Sequence, residues 1–79
     1  MTVTIYTKPH CPACDETKRY MDRYGIAYEV QNFADSEEAK KLAAFHSFRS
    51  APLVVTENDC WAGFRIDKIM ELGGVNRNN

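Results

Sequence analysis

Cys11 and Cys14 stand three residues apart in the stretch Lys8-Pro9-His10-Cys11-Pro12-Ala13-Cys14, directly after a β-like run, Val3-Thr4-Ile5-Tyr6-Thr7. Pro12 suits the first position of a helix, where its missing N–H would have no partner in any case. The first sulfur therefore meets a helix N-terminus. Free backbone N–H groups and the positive end of the helix dipole favour an anion there. A cysteine so placed loses its proton more readily, and the thiolate is the reactive form. The second thiol lies one helical turn on, within reach of the first. Strand, C-x-x-C and helix together suit the making and breaking of one disulfide. Cys11, ahead of the helix, is expected to be the exposed nucleophile. Cys14, inside the first turn, is expected to be more buried and to resolve the mixed disulfide.

The rival reading is metal binding. Structural zinc takes four ligands, and beyond the C-x-x-C pair only His10, His46 and Cys60 could supply them. No metal is expected. No bound cofactor is needed either, because the electrons pass through the two sulfurs of a redox-active Cys11–Cys14 disulfide. Lys8, three residues before Cys11, would favour the thiolate by its charge. Cys60 reads as a small strand filler, His46 as an inward-facing structural residue at a helix end, and the four tyrosines as packing.

The elements that position the pair follow from periodicity. Val3–Thr7 alternates apolar and hydroxyl residues, as a strand does. Cys14, Thr17, Met21 and Tyr24 recur at helical spacing, and Gly25 closes that helix. Residues 26–32 read as a second strand, parallel to the first through a right-handed crossover. Asp35 or Ser36 caps a second helix through about His46, with Ala39, Leu42, Ala43 and His46 on one face. Residues 53–56 form a buried strand. Glu57-Asn58-Asp59 turns it into a fourth strand over 60–63. Ile66, Ile69, Met70 and Leu72 mark a last short helix before Gly73-Gly74. Val75–Asn79 has nothing to pack against and is expected to fray.

Seventy-nine residues leave room for one domain, 1–79. A chain this short buries only about 60% of its unfolded surface, so modest stability is expected. A net charge of −1 and the lack of a basic tract give no reason to expect nucleic-acid binding. No apolar run approaches the roughly 20 residues that span a bilayer. Met1-Thr2-Val3-Thr4 leads straight into a strand, without the pattern of a signal peptide. Three cysteines, two of them in C-x-x-C, are not an even disulfide framework. A cytoplasmic redox protein is expected.

The order βαβ-α-ββα, with C-x-x-C after the first strand and Pro52 opening the third, resembles the thioredoxin fold in its small, glutaredoxin-like branch. Trp61-Ala62-Gly63-Phe64-Arg65-Ile66-Asp67 resembles the W-S-G-F-R-P-D motif of the NrdH-redoxins, and Phe48-Arg49 with Pro52 matches their F-R-x-x-P. The resemblance covers residues 2–72. It implies a four-stranded mixed sheet of order 2-1-3-4, with strand 3 antiparallel to strand 1, flanked by three helices. It also implies a cis Ala51–Pro52 bond facing the cysteines, and it too places a Lys or Arg at position 8. A monomeric dithiol–disulfide oxidoreductase follows. That family donates electrons to the large subunit of class Ib ribonucleotide reductase, and thioredoxin reductase with NADPH recharges it.

Partners would then dock on Pro12, Ala13, Ala51, Trp61, Phe64, Arg65 and Asp67, with Phe64 packed and Trp61 partly exposed. The sequence departs from the motif at Ile66, where the family has Pro, and at Ala62, where it has Ser. Ser47 stands where a helix-ending Gly is common. A glutathione-dependent glutaredoxin is the alternative. Its groove would use Lys8, the residue before Cys14, Ala51-Pro52 and acidic residues at the last helix. Here Ala13 stands where that family has Tyr, and Phe64-Arg65-Ile66-Asp67 occupies the place of a glycine-rich, Asp-containing turn, which argues against it.

Overall fold

The computed structural model describes residues 2–74. The chain runs β1 (Thr4–Thr7), α1 (Pro12–Arg23), β2 (Glu29–Asn32), a 3-10 turn (Phe33–Asp35), α2 (Glu37–His46), β3 (Leu53–Val55), β4 (Cys60–Ala62) and α3 (Ile66–Leu72). The sheet order is β2-β1-β3-β4. β1 pairs parallel with β2 and antiparallel with β3, and β3 pairs antiparallel with β4. This is the expected mixed sheet with its three helices. The expected frayed tail, Val75–Asn79, lies outside the described residues.

Strand alternation divides the core between the two faces of the sheet. Ile5, Val54 and Trp61 sit side by side across the central ladder. With Val3, Met21, Ile26 and Ile69 they form one buried cluster, with Tyr20, Tyr24, Phe64 and Leu72 packed around it. Helices α1 and α3 therefore cover this face. On the other face Tyr6 and Val55 line a groove together with Ala39, Leu42 and Phe45 of α2. Ala39 and Leu53 are buried there.

The second strand is shorter than its sequence suggests, and the reason lies in how α1 ends. Gly25, at φ +70°, donates its N–H to the Asp22 carbonyl, and the Ile26 N–H reaches back to the Met21 carbonyl. This paired closure engages the backbone of Ile26 in ending the helix. The ladder then opens further on, with the Glu29 N–H donating to Val3. The 3-10 turn after β2 was not expected. Its signal is Asn32, whose side chain accepts from the Ala34 N–H.

Helix α2 starts on Ser36 rather than Asp35, with the Ser36 hydroxyl accepting from the Ala39 N–H at 3.1 Å. It ends with the same paired closure as α1. The Phe48 N–H donates to Ala43 and the Ser47 N–H to Ala44. Here the left-handed residue is Ser47, at φ +58°, where glycine would carry no Cβ penalty. His46 corrects an expectation: it is exposed, stacked on Phe48 with ring centroids 4.9 Å apart and edge-on to Phe45. The last turn of α2 has already rotated away from the sheet.

Ser47→Gly should raise stability, because it removes a Cβ from a left-handed position. Glycine's greater freedom in the unfolded chain offsets part of the gain, leaving about 0.5–1 kcal/mol. For a domain of this size that is a Tm increase of about 2–8 °C in a thermal melt. An unchanged or lower Tm would show that Ser47 holds the left-handed turn at no cost.

Candidate active site

β1 ends at Thr7, and Lys8, Pro9 and His10 carry the chain to α1. His10 adopts φ +54°, a left-handed conformation in which histidine is several-fold enriched among non-glycine residues. That turn brings Cys11 to the N-cap in an extended conformation, followed by Pro12 at the first helical position. The Cys11 carbonyl accepts from the N–H groups of Cys14 and Asp15, at 3.1 and 3.2 Å. Its sulfur also accepts from the Cys14 N–H, at 3.1 Å. Cysteine thus fills the role that serine or aspartate usually plays at a helix start.

The two cysteines are joined as a disulfide, with Cα atoms 5.2 Å apart. Cys14 is 2% exposed, while Cys11 is only half-buried. The two sulfurs are thus unequally accessible, in the order their places on the helix imply. Beneath them Thr17 is fully buried, and its hydroxyl donates to the Ala13 carbonyl at 2.8 Å.

Lys8 is exposed, and its ammonium lies over the ring of Phe33, 4.9 Å from the centroid. The link between Lys8 and the 3-10 turn was not legible in the sequence, because that turn was not. The Ala51–Pro52 bond is cis, and Pro52 is buried while Ala51 is half-buried. The Pro52 carbonyl accepts from the Gly63 N–H at 2.8 Å. Gly63 has φ +82°, and a Cβ there would come within 3.4 Å of the Ser50 Cβ. Gly63 ties the proline segment to the end of β4, a role that sequence reasoning passed over. The sequence signal was a glycine placed directly after a short strand.

Phe64 is half-buried and packs on Tyr20 with centroids 5.3 Å apart, as expected. Trp61 corrects its expectation. It is 3% exposed, on the same sheet face as Ile5 and Val54, with Lys68 of α3 lying 6.0 Å from its ring centroid. Its indole Nε1 is buried with no hydrogen-bond partner among the described residues. Reading β4 as an edge strand left Trp61 open, but its side chain points inward, under the helix that follows.

Arg65 and Asp67 form a two-point pair, Nε to Oδ1 at 3.1 Å and Nη2 to Oδ2 at 2.8 Å. Both remain at the solvent surface, so the pair orders the loop more than it stabilises the fold. Ile66 takes the first position of α3, and the helix starts there without proline. The Arg65 hydrogen bonds hold the Asp67 carboxyl below the ordinary carboxylate range. The Lys68 ammonium, 2.7 Å away, does the same for Asp59. Carboxyls lowered in this way add stability above their unfolded values, near pH 4, and lose it as pH falls through the lowered ones. Cys60 is half-buried in β4, and burial, helped by Asp59, pushes its thiol up.

This geometry has close counterparts. The sequence model of the glutaredoxin family matches residues 3–61. The glutaredoxin-like protein NrdH of Escherichia coli is 38% identical over 72 residues, covering 91% of this chain and 89% of that protein. The solved structure of the E. coli NrdH-redoxin superposes with a TM-score of 0.81 over 91% of this chain and 95% of its own, again at 38% identity. A glutaredoxin from Archaeoglobus fulgidus, 29% identical, gives 0.68 over 89% of this chain and 83% of its own. With a buried and a half-buried cysteine joined at a helix N-terminus, the chain belongs to the glutaredoxin family and, within it, to the glutaredoxin-like NrdH proteins, thiol–disulfide oxidoreductases built on the thioredoxin fold.

Proposed function

We propose that the protein donates electrons to the large subunit of class Ib ribonucleotide reductase, and that thioredoxin reductase with NADPH reduces it in turn. The observation that carries this reading is the Arg65–Asp67 pair. By the family resemblance, a glutathione groove uses acidic residues at the last helix. Here both oxygens of Asp67 are engaged by one guanidinium. A protein-sized partner does not need that groove. The E. coli NrdH-redoxin is described as having a thioredoxin-like activity profile, which supports the same choice.

In the proposed cycle Cys11 is the nucleophile. Its thiolate attacks one sulfur of the client disulfide. That bond breaks, a mixed disulfide forms, and the first client sulfur leaves as a thiolate that takes a proton from water. Cys14, once deprotonated, attacks the Cys11 sulfur. The Cys11–Cys14 disulfide closes and the second client thiolate is released. Two electrons have passed to the client, and NADPH returns two through the reductase, restoring both thiols. The sulfurs carry the electrons, so no bound cofactor or metal takes part.

Pro12, Ala13, Ala51, Phe64, Arg65 and Asp67 form the partner surface, with Trp61 supporting it from beneath. Pro52, which has no N–H, leaves the backbone of Ala51 to pair with an extended client segment, and Lys8 adds positive charge beside the site. The protein works as a monomer in the cytoplasm, where such a pair can be kept reduced.

With a disulfide acceptor such as insulin, NADPH consumption should be rapid with thioredoxin reductase and slow with glutathione and glutathione reductase. Dithiols between about −200 and −270 mV can be reduced by either system, so recognition decides the outcome. A faster glutathione route would make the protein a glutathione-dependent glutaredoxin. In the same assay Cys11→Ser should abolish turnover and Cys14→Ser should trap a mixed disulfide with the client. Cys60→Ser should leave turnover intact, and its loss in a folded variant would draw the third thiol into the mechanism. In the reduced protein at neutral pH, peptide mapping should find Cys11 alkylated before Cys14 and before Cys60. Labelling of Cys60 or Cys14 first would overturn the order of attack.

A further inference from the structure

One peptide unit inside the C-x-x-C turn is held from both ends. Its N–H belongs to Cys14 and donates to the Cys11 sulfur at 3.1 Å. Its C=O belongs to Ala13 and accepts from the Thr17 hydroxyl at 2.8 Å. A peptide unit is planar and rigid, so fixing the carbonyl fixes the direction of the N–H. A hydrogen bond to the carbonyl also polarises the amide and strengthens its N–H as a donor, more so where water is excluded.

Thr17 is the only hydroxyl-bearing residue that is buried among the described residues, and it is fully buried. A valine would fill the same space without the cost of burying a hydroxyl. Back-bonding to the carbonyl four residues earlier satisfies that hydroxyl, and elsewhere in a helix it would have only local consequences. Here the carbonyl it reaches is the far end of the amide that caps the sulfur. We propose that Thr17 is a positioning residue. Its hydroxyl, by holding the Ala13 carbonyl, aims and strengthens the Cys14 N–H that supports negative charge on Cys11.

The inference rests on Cys11 being the nucleophile, and the test separates the two. The full-length protein is reduced, and iodoacetamide labelling of each cysteine is followed against pH by peptide mapping. If Cys11 of the wild-type protein is not the first residue labelled, the nucleophile assignment fails, and the inference falls with it. If it is first, Thr17→Val is compared with wild type. Removing a polarising hydrogen bond should raise the pH midpoint of Cys11 labelling by roughly 0.2–0.6 units. Thr17→Ser, which keeps the hydroxyl, should bring it back. A loss of packing alone would lower Tm without moving that midpoint. An unmoved midpoint in Thr17→Val, or a Thr17→Ser midpoint as high as that of Thr17→Val, would overturn the proposal. Should Thr17→Val not fold, Thr17→Ala, a strong helix former without the hydroxyl, takes its place against Thr17→Ser under the same criteria.

Discussion

The hydrogen bond from the Cys14 N–H to the Cys11 sulfur is the contact on which the site depends. It caps α1 and, in the same geometry, presents a sulfur to partial positive charge. Most helices are capped by an oxygen that does nothing further. Here the capping atom is also the atom whose charge and bonding change through a redox cycle. The start of the helix is therefore coupled to the chemistry. The anchors on either side, His10 in its left-handed turn and Pro12 at the first helical position, hold the helix start through the backbone rather than through the sulfur.

The sheet supplies the second constraint. β1 delivers the cysteines and β3 begins at the cis Ala51–Pro52 bond, and the two strands are neighbours in antiparallel register, Tyr6 opposite Leu53. Two segments distant in sequence thus end on the same side of the sheet. Ile5 and Val54, both fully buried, lock that register, since a slip of one residue would turn them to the opposite face. Gly63 extends the arrangement to β4 through its bond to the Pro52 carbonyl. A domain this small has one well-filled layer under α1 and α3, and that layer is the one that fixes the site.

Much of this was legible in the sequence because local signals agreed with one another. Pro12, Gly25, Ser36 and the β-branched run before Lys8 each point to the element that forms. The two cysteines differ in exposure because one precedes the helix and the other faces its buried side, which spacing alone implies. The residues misread were those settled by tertiary contact. Trp61 lies on a short edge strand, and only the return of α3 over it decides that it is buried. His46 follows the apolar spacing of α2, but the helix diverges from the sheet before reaching it. Ile26 is apolar and adjacent to a strand, yet its backbone belongs to the end of α1. Thr17 read as one more position on an amphipathic face, because sequence does not reveal what a buried hydroxyl bonds.

The two outer strands have a bearing on self-association. β2 has four residues, all exposed, and β4 has three. Val30 lies 48% open on β2 beside Glu29, Gln31 and Asn32. An outer strand with unpaired backbone groups is a template for adding a strand from another chain, and proteins limit this with short, charged or interrupted edges. Both edges here are short. The chain leaves β2 at once for a 3-10 turn, and the next residue after β4 is a glycine in the left-handed region. Neither edge offers the long, flat, apolar ladder from which fibrils grow, so strand addition from another chain finds little to pair with at either side of the sheet.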